Sequence, residues 1–332
     1  MPSDLKRKSE DHAMFVSRRI QAIAIIAIVG LGLLPVTLKA QKDGKTKQPK
    51  PIPADARAVL WQEPTDITSR DLFLGFGGES MKPDLSHVVF LKDETRSYST
   101  KYRVRDGAGN EWVVKIGQEA QSETAATRLV WAAGYYVDVT YLVPHVVIEG
   151  KGAFDNVRFE ARGGGVKRMD QRWDWEKNPF VGTKELQGLK VIMALINNWD
   201  IQNHNNNVLL VTDEATGQKE ARYFDTDLGA SFGKEGNLFG HTRNRPEQYV
   251  ADTKFIKGVQ KGKVVFAYRG KNQHLLNDIT VEQAKWISGI LSQLSEQQIR
   301  DAFRAANYSP EEIESLTRTV MARIGELAKL PG

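Results

Sequence analysis

The stretch KYRVRDGAGNEWVVKIG constrains this chain more than any other: two β-type runs meet at a DGAGN turn, and the second run ends in a lysine, Lys115. A cation interrupting an apolar strand is expensive to bury unless a carboxylate pairs with it. The following segment, QSETAATRLVWAAGY, reads as a helix stopped by Gly134 at the position after its C-cap. That helix carries Glu123, eight residues beyond the lysine, with Glu119 as a rival partner. SHVVFL before the hairpin and VTYLVPHVVIEG after the helix are also strand-like, so the first half of the chain reads as sheet with one helix.

The second half has a different period. GTKELQGLKVIMALINN places Leu186, Leu189, Ile192, Met193 and Ile196 on one helical face. It runs into NNWDIQNHNNNVLL, where six asparagines surround Asp200 and His204. NVLLVT and ARYFDTD then form a hairpin about the polar segment DEATGQKE. With the turn centred near Ala215 or Thr216, Asn207 falls roughly opposite Asp225, and Asn205, Asn207, Asp225 and Asp227 gather at one end. Amide and carboxylate oxygens converging there suit a hard cation such as magnesium. Asn and Asp also simply cap turns through side-chain to backbone bonds. The last third is helical: Thr280 to Gln283 and Ser295 to Gln298 are capping boxes, and Ser309, Pro310 and Glu312 take the N-cap, N1 and N3 positions. Strands first and helices last make an α+β, two-lobed fold the expectation.

Ahead of all this lies an uncharged apolar run from Ile20 to Leu38. As a helix it would span about 28 Å, close to a bilayer core. Residues 1–40 therefore read as a signal peptide cleaved before Gln41 or as a retained signal anchor, with Lys6, Arg7, Lys8, Arg18 and Arg19 on its amino-terminal side. Residues 41–56 read as a linker, 57–150 as a β-rich N-lobe and 151–332 as a helical C-lobe. The expected location is the cell envelope, outside the cytoplasm, with the folded part a monomer attached to the membrane through its first segment. The chain has no cysteine, which excludes disulfides and cysteine-held zinc. Its net charge of +5 lies largely in the first fifty residues, so no nucleic-acid footprint is expected.

A strand lysine, a helix glutamate, Asp200 with Asn205 five residues on, and a hairpin ending in DLG together resemble the atypical branch of the protein-kinase-like superfamily: HipA-type, spore-coat CotH-type and phosphatidylinositol kinases. SYSTKYRVRDGAGNEWVVK is similar to the HipA-type lead-in. The segment from DLFLGFGG to DAFRAANYSPEE also resembles bacterial envelope proteins that share NPFVGT, NNWD and DLGASFG. The resemblance implies ATP and magnesium as cofactors and an unknown phosphoacceptor as partner. It implies Lys115 on the nucleotide phosphates with Glu123 paired to it, and Asp200 as the catalytic aspartate. Asn205 or Asn207, with Asp227, would hold magnesium, and Ser97, Ser99, Thr100 and Lys101 would form the phosphate-binding turn. NWD stands where protein kinases have HRD, and no G-x-G-x-x-G precedes Lys115; GFGG at residues 75–78 reads as a structural turn. His204 reads as a hydrogen-bonding loop residue, and Trp173, Trp175 and Phe180 as core. A non-catalytic envelope binding protein and an AMP transferase are the alternatives on the same scaffold.

Overall fold

The computed structural model describes residues 51–94, 99–162, 167–169, 171–212, 216–236 and 240–332. The apolar run Ile20–Leu38 and Ser97 lie outside the described residues. Among those that are described, no helix is long and apolar enough to cross a membrane.

Strand β1 (Arg57–Val59) is followed by β2 (Val88–Asp93), β3 (Thr100–Arg105) and β4 (Glu111–Ile116), then by helix α1 (Glu119–Ala132), β5 (Thr140–Glu149) and β6 (Gly152–Arg162). The strands from β2 to β6 close into a barrel in the order β2-β3-β4-β6-β5, with β2 parallel to β5 at the seam. Val104, Trp112, Val114, Tyr141, Ile148, Val157 and Phe159 fill it. Strand β6 extends this layer beyond the boundary expected at residue 150, and β1 pairs not with the barrel but in parallel with a strand of the second half. The segment GAFDNVRFEAR hides its strand character because Arg158 and Glu160 alternate with Val157 and Phe159, and both faces are buried.

The second half comprises β7 (Lys167–Arg168), α2 (Lys184–Leu195), β8 (Asn206–Thr212), β9 (Lys219–Asp225), α3 (Pro246–Ala251), the hairpin β10 (Ile256–Gln260) and β11 (Lys263–Phe266), and the helices α4 (Val281–Leu291), α5 (Glu296–Arg304) and α6 (Pro310–Ala328). A four-stranded sheet, β1-β9-β8-β7, stands beside the helices. The fold is thus α+β, β-rich first and helical last, as its patterns predict. The three C-terminal caps form as expected: Thr280, Ser295 and Ser309 each close a reciprocal capping box.

One large apolar cluster joins α1, α2, α4, α5 and α6, with Trp173 and Trp175 buried in it and Phe180 packed against it. Helix α1 ends at Gly134 with φ +94°, and a Cβ there would lie 2.3 Å from the Gln62 carbonyl oxygen. Helix α2 ends differently. Asn197 takes φ +49°, a left-handed position where asparagine is tolerated, and its amide nitrogen bonds the Gly233 carbonyl at 3.2 Å. Its Oδ1 accepts from Arg323, a residue only 2 % exposed on α6. Arg323 also bonds the Leu195 carbonyl at 2.9 Å and the Asp252 carbonyl at 3.1 Å, and stacks 4.2 Å over Tyr249. One guanidinium therefore closes the end of α2 from the far side of the core. Arg323→Ala strips donors from these buried acceptors and should cost about 3 kcal/mol in urea-unfolding stability. A cost below about 1 kcal/mol would mean that water replaces the cation there.

Candidate active site

The lysine of the first hairpin is completely buried, and its charge is met from two directions. Gly117, at φ +108°, turns the chain directly from β4 into α1. The first two turns of that helix then face back at the strand. Glu119 and Glu123 lie four residues apart on one helical face, and both bond Lys115 Nζ, at 2.8 and 2.6 Å. The choice posed between them dissolves: the lysine takes both. Asp227, at the end of the β8–β9 hairpin, approaches the same Nζ at 3.3 Å. The glycine that follows it in DLG has a packing reason, because a Cβ on Gly229 would lie 2.9 Å from Glu119 Cβ. Its carbonyl accepts the Ser122 hydroxyl at 2.8 Å, which fixes the DLG turn against α1.

A second buried cation supports the first. Arg158 sits opposite Lys115 across the β4–β6 ladder and bonds Glu123 and, at 2.7 Å, Glu160. Glu160 also takes Arg168 at 2.7 Å and Arg162 at 2.6 Å, and Arg168 bonds Asp138. Burial alone would raise the Glu160 carboxyl, but its three arginines hold it far below the usual range. Asp138, with the Glu160 charge beside it, is pushed by burial to about 7. Sequence reasoning did not find Arg158, although it obeys the rule that exposed Lys115: a cation inside an apolar strand.

The asparagine-rich loop supplies the other wall. Asn203, His204 and Asn205 form a short 3-10 turn ahead of β8, and each asparagine side chain has a defined task. Asn198 Oδ1 accepts the Asp200 backbone N–H at 3.0 Å, Asn203 bonds Asp174 at 2.7 Å, and Asn206 bonds the Trp173 carbonyl at 2.9 Å. Asn205 turns its amide nitrogen to Asp200, at 2.8 Å from the carbonyl and 3.3 Å from Oδ2. The hairpin pairs one residue away from the expected register: Asn206, not Asn207, faces Asp225, and Asn207 faces Phe224. A difference of one residue in pairing exchanges the strand face that meets Asp225. Asn207 is buried in β8, with its Oδ1 on the Val208 N–H at 2.7 Å, whereas Asn205 lines the cleft.

That cleft has a volume of about 390 Å³. Ser99, Lys101, Glu119 and Asp227 face Asp200, Asn205 and Thr226 across it. Of the expected phosphate turn, Ser99 and Lys101 line the cleft, while Thr100 is exposed at the start of β3 and outside the lining. Ser99 donates to Glu119 at 2.6 Å. Burial and the neighbouring Lys115 charge lower Lys101 below the ordinary lysine value. Three further cations sequence reasoning missed reach the cleft from distant segments: Arg172, Arg243 and Lys271. Arg243 bonds Glu119, and Lys271 Nζ lies 2.8 Å from Asp200 Oδ1, which Gln202 also approaches. No local pattern marks them, since Lys271 stands seventy-one residues beyond its partner.

Among the described residues no group of three or more His, Asp or Glu side chains is arranged as a metal site. The oxygen donors at hand are instead the Asp227 carboxylate and the Asn205 amide, hard ligands of the kind magnesium takes together with water and phosphate oxygens. Burial opposes charge on Asp227, but Lys115, Lys101 and Arg158 outweigh it and keep the carboxyl below its usual value. Beneath it, Asp225 is raised well above the carboxylate range, first by burial and then by the charges of Asp227, Asp200 and Glu123. Its Oδ2 is buried with no hydrogen-bond partner among the described residues, while its Oδ1 accepts the Asp227 backbone N–H at 3.0 Å.

No protein-family model and no curated protein matches the chain. Solved structures do. The chain is similar to a proinflammatory kinase of Helicobacter pylori, CtkA, at 13 % identity and a TM-score of 0.44, over 72 % of this chain and 95 % of that one. It is similar to the Golgi casein kinase at 8 % identity and a TM-score of 0.35, over 81 % of this chain and 77 % of that one. The Rio2 kinase of Chaetomium thermophilum is similar at 10 % identity and a TM-score of 0.30, over 71 % of this chain and 72 % of that one.

The buried carboxyls make a test by pH. Asp138 is raised on folding, so the folded state holds a proton that the unfolded state releases near the ordinary value of 3.8. Stability should fall as pH rises from about 4 to about 7 and level off above, and Asp138→Asn should flatten that slope in urea titrations. Glu160→Gln removes the shared charge of three arginines and should cost about 3 kcal/mol at neutral pH. An unchanged slope in Asp138→Asn would place the proton elsewhere.

Proposed function

We propose that this chain is an ATP- and magnesium-dependent phosphotransferase. One observation carries the proposal: a buried lysine is held by Glu123 and, from behind one wall of a cleft, by the wall residues Glu119 and Asp227, with Asp200 and Asn205 on the other wall. Phosphoryl transfer needs little covalent help from a protein. It needs cations on the phosphates, oxygen donors for a metal, and a carboxylate at the acceptor hydroxyl.

Each group follows from its placement. Lys115, with Lys101 opposite it on β3, meets nucleotide phosphates, and Glu119 and Glu123 keep its ammonium aimed. Asp227 and Asn205 hold magnesium, which when bound neutralises phosphate charge. Asp200 receives the hydroxyl proton as the acceptor oxygen bonds the γ-phosphorus and the bond to the β–γ bridging oxygen breaks, releasing ADP. Lys271 and Gln202 fix the Asp200 carboxylate, and Lys271 compensates its charge until an acceptor arrives. We also place the folded part outside the cytoplasm, on the support of the apolar run Ile20–Leu38. Protease added to cells with a permeabilised outer layer should digest it; full protection would put it inside.

Calorimetry with ATP tests the site. Wild-type protein should bind ATP with magnesium, and Asp227→Ala should weaken that binding at least about tenfold. Asp200→Asn should keep the affinity within about threefold yet lose phosphate transfer by about 10²-fold or more. Binding that ignores magnesium, or survives intact in Asp227→Ala, overturns the assignment.

A further inference from the structure

The β10–β11 hairpin and the segment after it form a groove of about 750 Å³ that the proposed chemistry does not use. Its walls carry Lys257, Lys261, Lys263 and Arg269, all exposed, and no carboxylate lines it. None of the three lysines has a carboxylate partner among the described residues. Like charges collected on one concave wall repel one another, and an anion entering the groove relieves that repulsion.

The groove is built into the loop that bears Asp200. Tyr268, which lines the groove, donates its hydroxyl to the Asn198 carbonyl at 2.7 Å. The Lys271 N–H bonds the Trp199 carbonyl at 2.7 Å, and Asn272 bonds the Ile201 carbonyl at 2.8 Å. Between them Gly270 packs so close that a Cβ would stand 2.7 Å from Trp199 Cα and 2.0 Å from the Tyr268 hydroxyl. One side of this five-residue strap is groove wall; its other side presents Lys271 to the cleft. Arg269 on the groove side and Lys271 on the cleft side stand two residues apart on this strap, the second beside the carboxylate proposed to receive the acceptor proton.

We propose that the phosphoacceptor is an acidic polypeptide, whose glutamate and aspartate side chains lie along Lys257, Lys261, Lys263 and Arg269 while its hydroxyl reaches Asp200. This rests on the phosphotransferase reading of the cleft. Shape and chemistry favour a peptide over other polyanions. A concave groove admits an extended chain, and a bilayer surface is flat. The two aromatic rings in the lining, Phe266 and Tyr268, are buried at 7 % and 8 % exposure, which leaves no platform for base stacking.

The test uses the full chain and a variant reversed at three exposed positions, Lys257→Glu, Lys261→Glu and Lys263→Glu. Anisotropy of a fluorescent serine-containing glutamate-rich peptide should show binding that weakens with salt and falls at least about tenfold in the variant. A lysine-substituted peptide should not bind. Magnesium–ATP affinity of the variant should stay at the wild-type value, and phosphate should enter the acidic peptide with wild-type protein only. If ATP binds but the peptide does not, or binds equally to the variant, the groove assignment falls while the cleft reading stands. If single-stranded DNA or anionic vesicles compete the peptide away and lose affinity in the variant by a larger factor, the acidic-peptide assignment is overturned in favour of that polyanion. Groove-dependent peptide binding without ATP binding would overturn the phosphotransferase reading and leave a peptide-binding protein.

Discussion

Everything in this molecule near the cleft is arranged around the cost of holding an ammonium group away from water. Lys115 is wholly buried, and an unpaired charge there would lose its proton rather than persist. Three carboxylates on two separate elements meet it, and Arg158 takes up the charge that this excess of acid leaves over. The pairing is poor currency for stability, because desolvation offsets most of the attraction. Its effect is positional: strand β4, helix α1 and the DLG turn can satisfy their charges only in one mutual arrangement. On the phosphotransferase reading proposed above, that rigidity fixes the height at which a cation meets phosphates.

The opposite wall solves a different problem. A loop leaving a buried helix carries backbone groups that must be satisfied locally. The asparagines do this one by one, each bonding a backbone or carboxylate group nearby, while Asn197 reverses the chain in the left-handed region. The result is a loop with little freedom, stitched from behind by Tyr268, Lys271 and Asn272. Asp200 gains its orientation from this backbone and from Lys271, not from a packed side-chain core.

How much of this could be read before any coordinates follows from sequence distance. Lys115, Glu119 and Glu123 lie within nine residues, and helical periodicity alone puts the acids on one face. The three capping boxes are local for the same reason. Asn205 against Asn207 could not be separated, because spacing from Asp200 favours the first and the apolar strand that follows favours the second; the fold puts Asn205 in the cleft and Asn207 inside β8. Strand β6 escaped because its buried charges imitate an exposed edge. Arg172, Arg243 and Lys271 left no trace, since contacts brought about by the whole fold have no local pattern to betray them. The pairing of β1 with β9, across more than one hundred and sixty residues, belongs to the same class.

The topology of the sheets has a bearing on how the protein behaves at high concentration. The barrel closes on itself, and the four-stranded sheet ends in β1 with three residues on one side and β7 with two on the other. Unpaired strand edges are templates on which a second chain can add by hydrogen bonding, and short ones offer too few bonds to nucleate such growth. In the third sheet β10 presents an open edge of five residues, with Lys257 within it and Lys261 directly after it. Self-association through extended backbone is thereby discouraged by geometry in two sheets and by charge in the third.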